Sequence, residues 1–113
     1  MDALLENITS FWKSADVVYN LKYYTSATIL YFKCLFVILD LIILKKKKKT
    51  PKDHTERFRI LQQDFQDIYA ILDKLFMIYR DTYSMQIEKN KCDNVRDYVI
   101  KLAEEQRIQL NHN

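Results

Sequence analysis

Residues 27–44 read ATILYFKCLFVILDLIIL and form the most apolar stretch of the chain. Only Thr28, Lys33 and Asp40 interrupt it. Two structures suit such a segment, a transmembrane helix or the central helix of a bundle, buried by its neighbours. A charged side chain near the middle of a bilayer costs about 2.5–3.5 kcal/mol, so the two charges favour the buried helix over membrane contact. Lys33 and Asp40 stand seven residues apart, and we expect their shared face to reach solvent or a dimer groove.

Glycine is absent from the 113 residues, and proline occurs once, at Pro51. Sheets need glycine for tight turns with positive φ, so the composition predicts an almost wholly helical chain. The same absence excludes the glycine-rich loops that hold phosphates in many nucleotide-binding enzymes. A chain of this length supports one hydrophobic core. We therefore expect residues 1–113 to form a single all-α domain.

Apolar residues recur at helical spacing on both sides of the long apolar stretch. On the first helix, Asp16 is expected on the polar face, away from the apolar stripe. Short connections between the predicted helices indicate an antiparallel bundle of four or five helices. The predicted helices cover residues 3–19, 21–44, 54–63, 65–85 and 93–108.

The predicted helix ends depend on a few polar residues. We expect a break near residues 62–65, although one long helix through this point also fits the pattern. The third helix starts either with Pro51 as its first residue, or with Asp53 as a cap that Glu56 completes. Asp93 is expected to cap the last helix.

The formal net charge of +3 conceals an uneven distribution. The lysine block, Lys45–Lys49, supplies five positive charges, and the rest of the chain carries thirteen Lys and Arg against fifteen Asp and Glu. This balance is not that of a uniformly basic nucleic-acid binder. The lysine block is either a solvated loop after the second helix or a surface that contacts phosphate.

Two cysteines, Cys34 and Cys92, lack the spacing of a metal site. Without a CxxC or CxxH cluster we expect no metal, and no cofactor motif is present. Cys34 falls in the apolar stretch and is predicted to be a small core residue. The N-terminus shows no basic region followed by an apolar run, so we expect no signal peptide, no disulfide and a cytoplasmic location.

Few residues suit acid–base chemistry. His54 and His112 are the two histidines, and His112 lies in a tail that is expected to fray. His54 is either tied to the backbone or to Glu56 at a helix start, or is a site residue beside the lysine block. Arg80, followed by Asp81, stands at the edge of an apolar stripe. It forms either a structural ion pair or a ligand-binding site.

Several features follow one another between residues 23 and 83. They are the opening Tyr23-Tyr24-Thr25-Ser26-Ala27, the apolar helix, the lysine block, His54 and the stretch Leu75-Phe76-Met77-Ile78-Tyr79-Arg80-Asp81-Thr82-Tyr83. In this order they resemble a HEPN domain, a family of helical-bundle modules, and the last stretch is similar to the family's Leu-Tyr-x-x-Arg-x-x-x-Tyr. The resemblance covers about half of the chain directly, and all of it in the order of the helices.

The resemblance implies a non-catalytic member of that family. Its ribonucleases carry an arginine followed one to two helical turns later by a histidine, and positions 85–87 after Arg80 hold Met, Gln and Ile. Without an imidazole there, RNA cleavage lacks its usual acid and base. We therefore expect no enzymatic activity, and a divergent nuclease that uses Arg80, His54 and Asp81 is an alternative.

Two functions follow as expectations. In the first, which the resemblance implies, the domain binds a nucleotide or the phosphates of RNA, and tyrosines stack on a base. In the second, the aromatic stripes build a homodimer or hold a partner chain, with no nucleic-acid ligand. The resemblance also implies a partner protein such as the minimal nucleotidyltransferase of a toxin–antitoxin-like pair. The candidate binding residues of the first function are Tyr24, Lys45, Lys46, Lys47, His54, Arg57, Arg59, Arg80, Asp81 and Tyr83.

Overall fold

The computed structural model describes residues 2–110 and contains five helices within that range. These are α1 (Asp2–Asn20), α2 (Tyr24–Lys47), α3 (His54–Asp64), α4 (Gln66–Asp81) and α5 (Lys89–Glu105). No strand occurs among these residues, which confirms the prediction of an all-α fold. The tail around His112 lies outside the described residues.

The long apolar stretch lies at the centre of the molecule. α1 and α5 pack against α2, and twelve side chains of α2 are buried. The ring of Trp12 lies 5.3 Å from that of Tyr31, and the ring of Tyr19 lies 5.4 Å from that of Tyr24, between centroids. Removing these side chains from water is the main driving force for assembling the three helices.

Whether α2 is a transmembrane helix or the buried centre of a bundle can be judged from how much of its surface the other helices cover. By length and composition alone, α2 is the one helix within residues 2–110 that could cross a membrane. Of its most apolar window, 67% is buried inside the structure. That coverage agrees with the interpretation of residues 27–44 as the central helix of a bundle.

The second helix differs from the prediction at both of its ends. It begins at Tyr24 rather than at residue 21, because Lys22 takes a left-handed conformation with φ of 67° after α1. It ends at Lys47, so Lys45–Lys47 form its last turn and not a loop. Positive side chains in this turn are favoured by the helix dipole.

The last two helices also depart from their predicted boundaries. α4 ends at Asp81, short of residue 85, and turns follow it. α5 begins at Lys89, one turn before the predicted start at residue 93, and Glu88 precedes it in an extended conformation. The prediction that Asp93 caps α5 is therefore wrong. Its carboxylate accepts hydrogen bonds from the Tyr19 hydroxyl and the Lys89 ammonium.

The contacts at the start of α3 decide between Pro51 as its first residue and Asp53 as its cap. Oδ1 of Asp53 accepts a hydrogen bond from the N–H of Glu56 at 2.9 Å, whereas Pro51 lies outside the helix and is buried. The Glu56 carboxylate accepts from the N–H of Lys52 at 3.2 Å, one residue before the position expected in a capping box. Phe65 alone separates α3 from α4, which confirms the predicted break.

Because the chain has no glycine, other residues take the left-handed conformation where helices end. Lys22, Lys48 and Arg107 have φ angles of 67°, 66° and 59°. After α1, the N–H groups of Lys22 and of the next residue donate to the carbonyls of Tyr19 and Val18, at 2.9 and 3.0 Å. This is the Schellman pattern, in which glycine is the usual residue. Left-handed backbone costs a residue with a Cβ atom about 1–2 kcal/mol.

The fourth helix is covered less completely than the first, second and fifth. Leu72 is its one buried side chain, whereas α5 buries six. The large exposed apolar side chains of α4 are Ile71 and Met77. The half-buried ones are Ile68, Tyr69, Leu75, Phe76, Ile78 and Tyr79. α4 therefore carries an apolar surface that the rest of the chain covers only in part.

Candidate functional site

A chain of hydrogen bonds joins α2 to the start of α3. Nε and Nη2 of Arg57 donate to the two carboxylate oxygens of Asp40, at 2.7 and 3.0 Å. Nη1 of Arg57 lies 2.6 Å from Nδ1 of His54. The Arg57 and Asp40 side chains are only 10% and 15% exposed. This fork is the geometry that arginine favours with a carboxylate, and it fixes α3 against α2.

These contacts revise three expectations. Lys33 is exposed, but Asp40 is half-buried and bound to Arg57, so their shared face is not wholly open to solvent. Arg57, a candidate phosphate ligand, directs its guanidinium to Asp40 and His54. The side chain of His54 is bound to Arg57 rather than to Glu56.

The contact with Arg57 sets the tautomer of His54. Arginine can only donate hydrogen bonds, so Nδ1 of the imidazole accepts, and Nε2 carries the proton in the neutral form. Burial lowers the pKa of His54, and the positive charge of Arg57 lowers it further. At neutral pH the site therefore holds a neutral imidazole that offers one N–H donor.

Aromatic side chains lie beside this histidine, which remains exposed as a residue. The imidazole lies 4.7 Å from the nearest ring, that of Phe36 on α2, between centroids. Tyr83 extends the series beyond α4 and is 79% exposed. We define the aromatic cluster as His54 with the rings of Phe36, Phe58, Phe76, Tyr79 and Tyr83.

The lysine block is partly engaged with the junction of α3 and α4. Lys47 forms an ion pair with Asp64 at 2.6 Å, and its hydrogen bond lowers the pKa of that carboxyl. Nζ of Lys46 lies 5.0 Å from the centroid of the Phe65 ring. All five lysines of the block are exposed. Of the candidate ligands here, Lys45 is the one whose side chain forms neither an ion pair nor a ring contact within residues 2–110.

Arg80 lies at the opposite end of α4. Its side chain is exposed, and it takes part in no ion pair within residues 2–110. A helix rises about 1.5 Å per residue, so Arg80 lies about 22 Å along the helix axis from Phe65, the residue that Lys46 contacts. One phosphate cannot reach both. The structure therefore does not gather the predicted cations into one compact site.

The remaining candidates lie apart from one another. Nη1 of Arg59 donates to Gln63 at 3.3 Å, within α3 and at the surface. Tyr24 is half-buried at the start of α2, where its ring packs edge-on against Tyr19. Asp81 is half-buried at the end of α4.

A second polar cluster, which the sequence analysis does not predict, joins α1, α2 and α5. The Tyr31 hydroxyl donates to the carboxylate of Asp16. Nε of Arg96 donates to Oδ1 of Asp16 at 3.3 Å and to the Tyr31 oxygen at 3.1 Å. The same guanidinium lies 5.1 Å from the Trp12 ring. Burial raises the pKa of Tyr31, and the bond to Asp16 raises it further, so the phenol stays a donor.

Neighbouring residues continue this cluster toward the surface. Asp93 on α5 accepts from the Tyr19 hydroxyl at 2.5 Å and from Nζ of Lys89 at 2.9 Å. Burial acts to raise the pKa of Asp93, but the hydrogen bonds from Tyr19 and Lys89 outweigh it and lower that pKa. The carboxylate is therefore ionised and ties α5 to α1.

The positions of Asp16 and Arg96 relative to nearby apolar residues in the sequence could have predicted this cluster. Asp16 stands four residues after Trp12, and Arg96 stands four residues after Cys92. Residues four apart share a helix face, so both charges lie on an apolar stripe. Assigning Asp16 to the polar face was wrong. A charge at core spacing indicates a buried partner of opposite sign.

The described residues offer little for metal or thiol chemistry. Within residues 2–110, no group of three His, Cys, Asp or Glu side chains is placed to hold a metal ion. Cys34 and Cys92 are both free and buried. Burial raises the pKa of Cys34 to about 12 and also raises that of Cys92. Neither is a reactive thiolate at neutral pH.

Comparison with known proteins leaves the function to be argued from this geometry. The chain matches no family model, no curated protein and no solved structure.

Proposed function

We propose that this chain is a non-catalytic helical module that acts by self-association, as a homodimer. The observation that carries the proposal is the apolar surface that folding leaves uncovered. Among residues 2–110, the exposed large hydrophobic side chains are Leu5, Val17, Leu21, Tyr23, Ile71, Met77, Tyr83 and Met85. Where such side chains lie together they mark an interaction site, and tyrosine and methionine are enriched in such sites.

Half of these side chains belong to two segments that are joined. Leu21 and Tyr23 precede α2, while Tyr83 and Met85 follow α4. The N–H of Ile87 donates to Oγ1 of Thr25 at 2.8 Å and links the second segment to the start of α2. This link favours a shared apolar region at that end of the bundle.

The proposed architecture is an antiparallel, HEPN-like bundle of the non-catalytic kind. Contacts between α1 and α2 support the antiparallel part, because residues descend along α1 as they ascend along α2. Tyr19 packs on Tyr24, Trp12 packs on Tyr31, and the carbonyl of Ile8 lies 3.5 Å from Sγ of Cys34. A homodimer, or a complex with a minimal nucleotidyltransferase, is what the HEPN-like part implies.

Sedimentation equilibrium of the purified chain, from micromolar to near-millimolar concentration, tests self-association. We expect the mean mass to rise with concentration from the monomer value of 13.7 kDa toward that of a dimer. Because the proposed contact is mainly apolar, moderate salt should change the dimerisation constant little. A mass that stays at the monomer value over the whole range contradicts the proposal.

The aromatic cluster favours a second candidate, the binding of a nucleotide or RNA. Tyr83 exposes most of its ring, and the positive charge of exposed Lys33 is close enough to lower the pKa of His54. Exposed rings beside cations are what single-stranded nucleic acids bind. Fluorescence anisotropy with a labelled short RNA tests this candidate. Binding that is lost in Tyr83→Ala and kept in Tyr23→Ala, an exposed tyrosine outside the aromatic cluster, would support it.

A further inference from the structure

The lysine block lies at one end of the molecule. α2 has 24 residues and is therefore about 36 Å long, whereas the longest dimension of the structure is 38 Å. The two ends of α2 thus lie at opposite ends of the molecule. The apolar region proposed for self-association lies at the start of α2, where Ile87 bonds to Thr25. The lysine block is at the other end and takes no part in that region.

The rest of the chain balances few of the charges in the lysine block. Lys47 forms an ion pair with Asp64, and the other four lysines form none within residues 2–110. The C-terminal end of a helix adds only about half a negative charge, so about three positive charges of the block are unbalanced by the described residues. Like charges this close repel one another, and an anionic partner relieves that repulsion.

The lysine block presents its charges around the end of α2. Successive residues of a helix point about 100° apart, so the three lysines of the last turn surround the helix axis. Lys46 and Lys47 lie toward the junction of α3 and α4. Lys48 ends the helix with φ of 66°, and its Nζ returns to the carbonyl of Lys45 at 3.3 Å. Cations exposed around a helix end suit an extended anionic surface better than one small ligand.

Two features favour a lipid surface over a nucleic acid as that partner. The block contains lysine alone, a point charge, whereas arginine has the fork that matches the phosphates of nucleic acids. Phe65, the ring that the block contacts, is half-buried and lies against Lys46, so it offers no open face on which a base could stack. What remains is attraction to many diffuse charges, which is how lysine clusters beside an apolar helix bind anionic bilayers.

We infer that the lysine block is a docking surface for an anionic lipid bilayer, which the molecule meets with the end of α2. The apolar side chains of α2 stay inside the bundle, where 67% of its most apolar window is buried. The contact is therefore electrostatic and reversible. Salt weakens it, because the potential of a charged surface fades within about 10 Å at 0.1 M salt. This inference goes beyond the proposed self-association and does not depend on it.

Cosedimentation of the purified chain with lipid vesicles tests the inference. The vesicles contain two parts phosphatidylcholine to one part phosphatidylserine, and vesicles of phosphatidylcholine alone serve as the neutral reference. A first variant replaces three lysines of the block, Lys45→Gln, Lys48→Gln and Lys49→Gln. The matched control removes as many charges from exposed lysines on α1, α4 and α5, through Lys13→Gln, Lys74→Gln and Lys91→Gln. Circular dichroism checks that both variants are folded.

We expect the wild type to sediment with the anionic vesicles at low salt, and not with the neutral ones. Each lysine near an anionic surface contributes about fivefold to binding, so the block variant should bind about a hundredfold more weakly. The matched control should stay within about twofold of the wild type, since its three lysines lie away from that surface. Equal losses in the two variants would mean that net charge alone matters, which overturns the docking surface.

Soluble competitors distinguish the bilayer from other sources of phosphate. The free headgroup glycerophosphoserine and a short RNA duplex are each added at the phosphate concentration of the vesicles. We expect both to leave most of the protein on the vesicles, because a bilayer offers a continuous sheet of charge to all the free lysines. Displacement by the headgroup would indicate a site for a small ligand, and displacement by the duplex a nucleic-acid surface. Either result, or a wild type that ignores anionic vesicles at low salt, overturns the inference and leaves the proposed self-association standing.

Discussion

The guanidinium of Arg57 on α3 donates two hydrogen bonds to the carboxylate of Asp40 on α2, at 2.7 and 3.0 Å. It also lies 5.0 Å from the centroid of the Phe36 ring, so its flat face and its edge are both used. Lysine could not reproduce this arrangement, because it has neither the fork nor the plane. The pair lies where water is mostly excluded, so removing either partner leaves the charge of the other buried and unpaired.

Removing one partner of this pair should therefore destabilise the fold. We expect Arg57→Ala to lower the free energy of unfolding by about 2–4 kcal/mol, because it leaves the Asp40 carboxylate largely buried without its partner. The double variant with Asp40→Ala should lose less than the sum of the two single variants. Urea unfolding followed by circular dichroism measures both.

Arg59→Ala is the matched control for this cycle. Arg59 is exposed, and within residues 2–110 its side chain donates a hydrogen bond to Gln63 of its own helix, at 3.3 Å. We expect it to change the free energy of unfolding by less than about 0.5 kcal/mol. Equal losses in Arg57→Ala and Arg59→Ala would show that the fork contributes nothing to stability.

His54 should make the stability of the protein depend on pH. Its pKa is lowered in the folded state by burial and by Arg57, whereas the unfolded chain binds a proton at the ordinary pKa of about 6.5. The unfolded state therefore binds more protons as pH falls through about 6.5, and the free energy of unfolding decreases there until the folded state is also protonated. In His54→Asn, whose Oδ1 can still accept from Arg57, this decrease should disappear. Urea unfolding at a series of pH values measures it.

The other histidine gives the control for that series. His112→Asn removes the same type of group outside the described residues. We expect its pH profile to follow the wild type. Profiles of wild type and His54→Asn that run parallel between neutral and mildly acidic pH would place the pH dependence elsewhere.

The parts of the fold that depend on residues close together along the chain could be predicted from the sequence. The central helix follows from the apolar run before Leu44, and the break at Phe65 follows from an interrupted stripe. Helix ends were predicted less well, because a chain without glycine ends its helices on other residues. Lys22 takes the left-handed conformation although nothing in its residue type indicates it.

The sequence analysis names residues of the candidate site, but it does not predict which of them bond to one another. Arg57 and His54 were named, but Asp40 lies seventeen residues before Arg57, on another helix. Arg96 and Asp16, eighty residues apart, were not paired at all. Such contacts depend on how helices pack, and spacing within one helix gives only the face on which a charge lies.

The left-handed end of α1 offers a stabilising substitution. We expect Lys22→Gly to raise the free energy of unfolding by about 0.5–1 kcal/mol, since relief of the left-handed strain exceeds the extra entropy that glycine gives the unfolded chain. Lys13→Gly, in the middle of the same helix, is the matched control and should destabilise by about 1 kcal/mol. Thermal unfolding compares the two. A loss of stability in Lys22→Gly would mean that the lysine side chain contributes more than its backbone costs.

The separation of Arg80 from the lysine block leads to a prediction about RNA binding. Any association at low salt should depend on the exposed lysines at the C-terminal end of α2 and directly after it, because counterion release from clustered charges gives affinity without a shaped site. Replacing Lys45, Lys48 and Lys49 by serine should therefore weaken that association and reduce its salt dependence. Arg80→Ala should leave both unchanged, since Arg80 lies about 22 Å along the helix axis from Phe65, the residue that Lys46 contacts. Fluorescence anisotropy at low and moderate salt measures the effect. If Arg80→Ala alone reduces the affinity as far as the triple serine variant does, the chain holds a compact site beside the aromatic cluster, and nucleotide binding displaces self-association as its function.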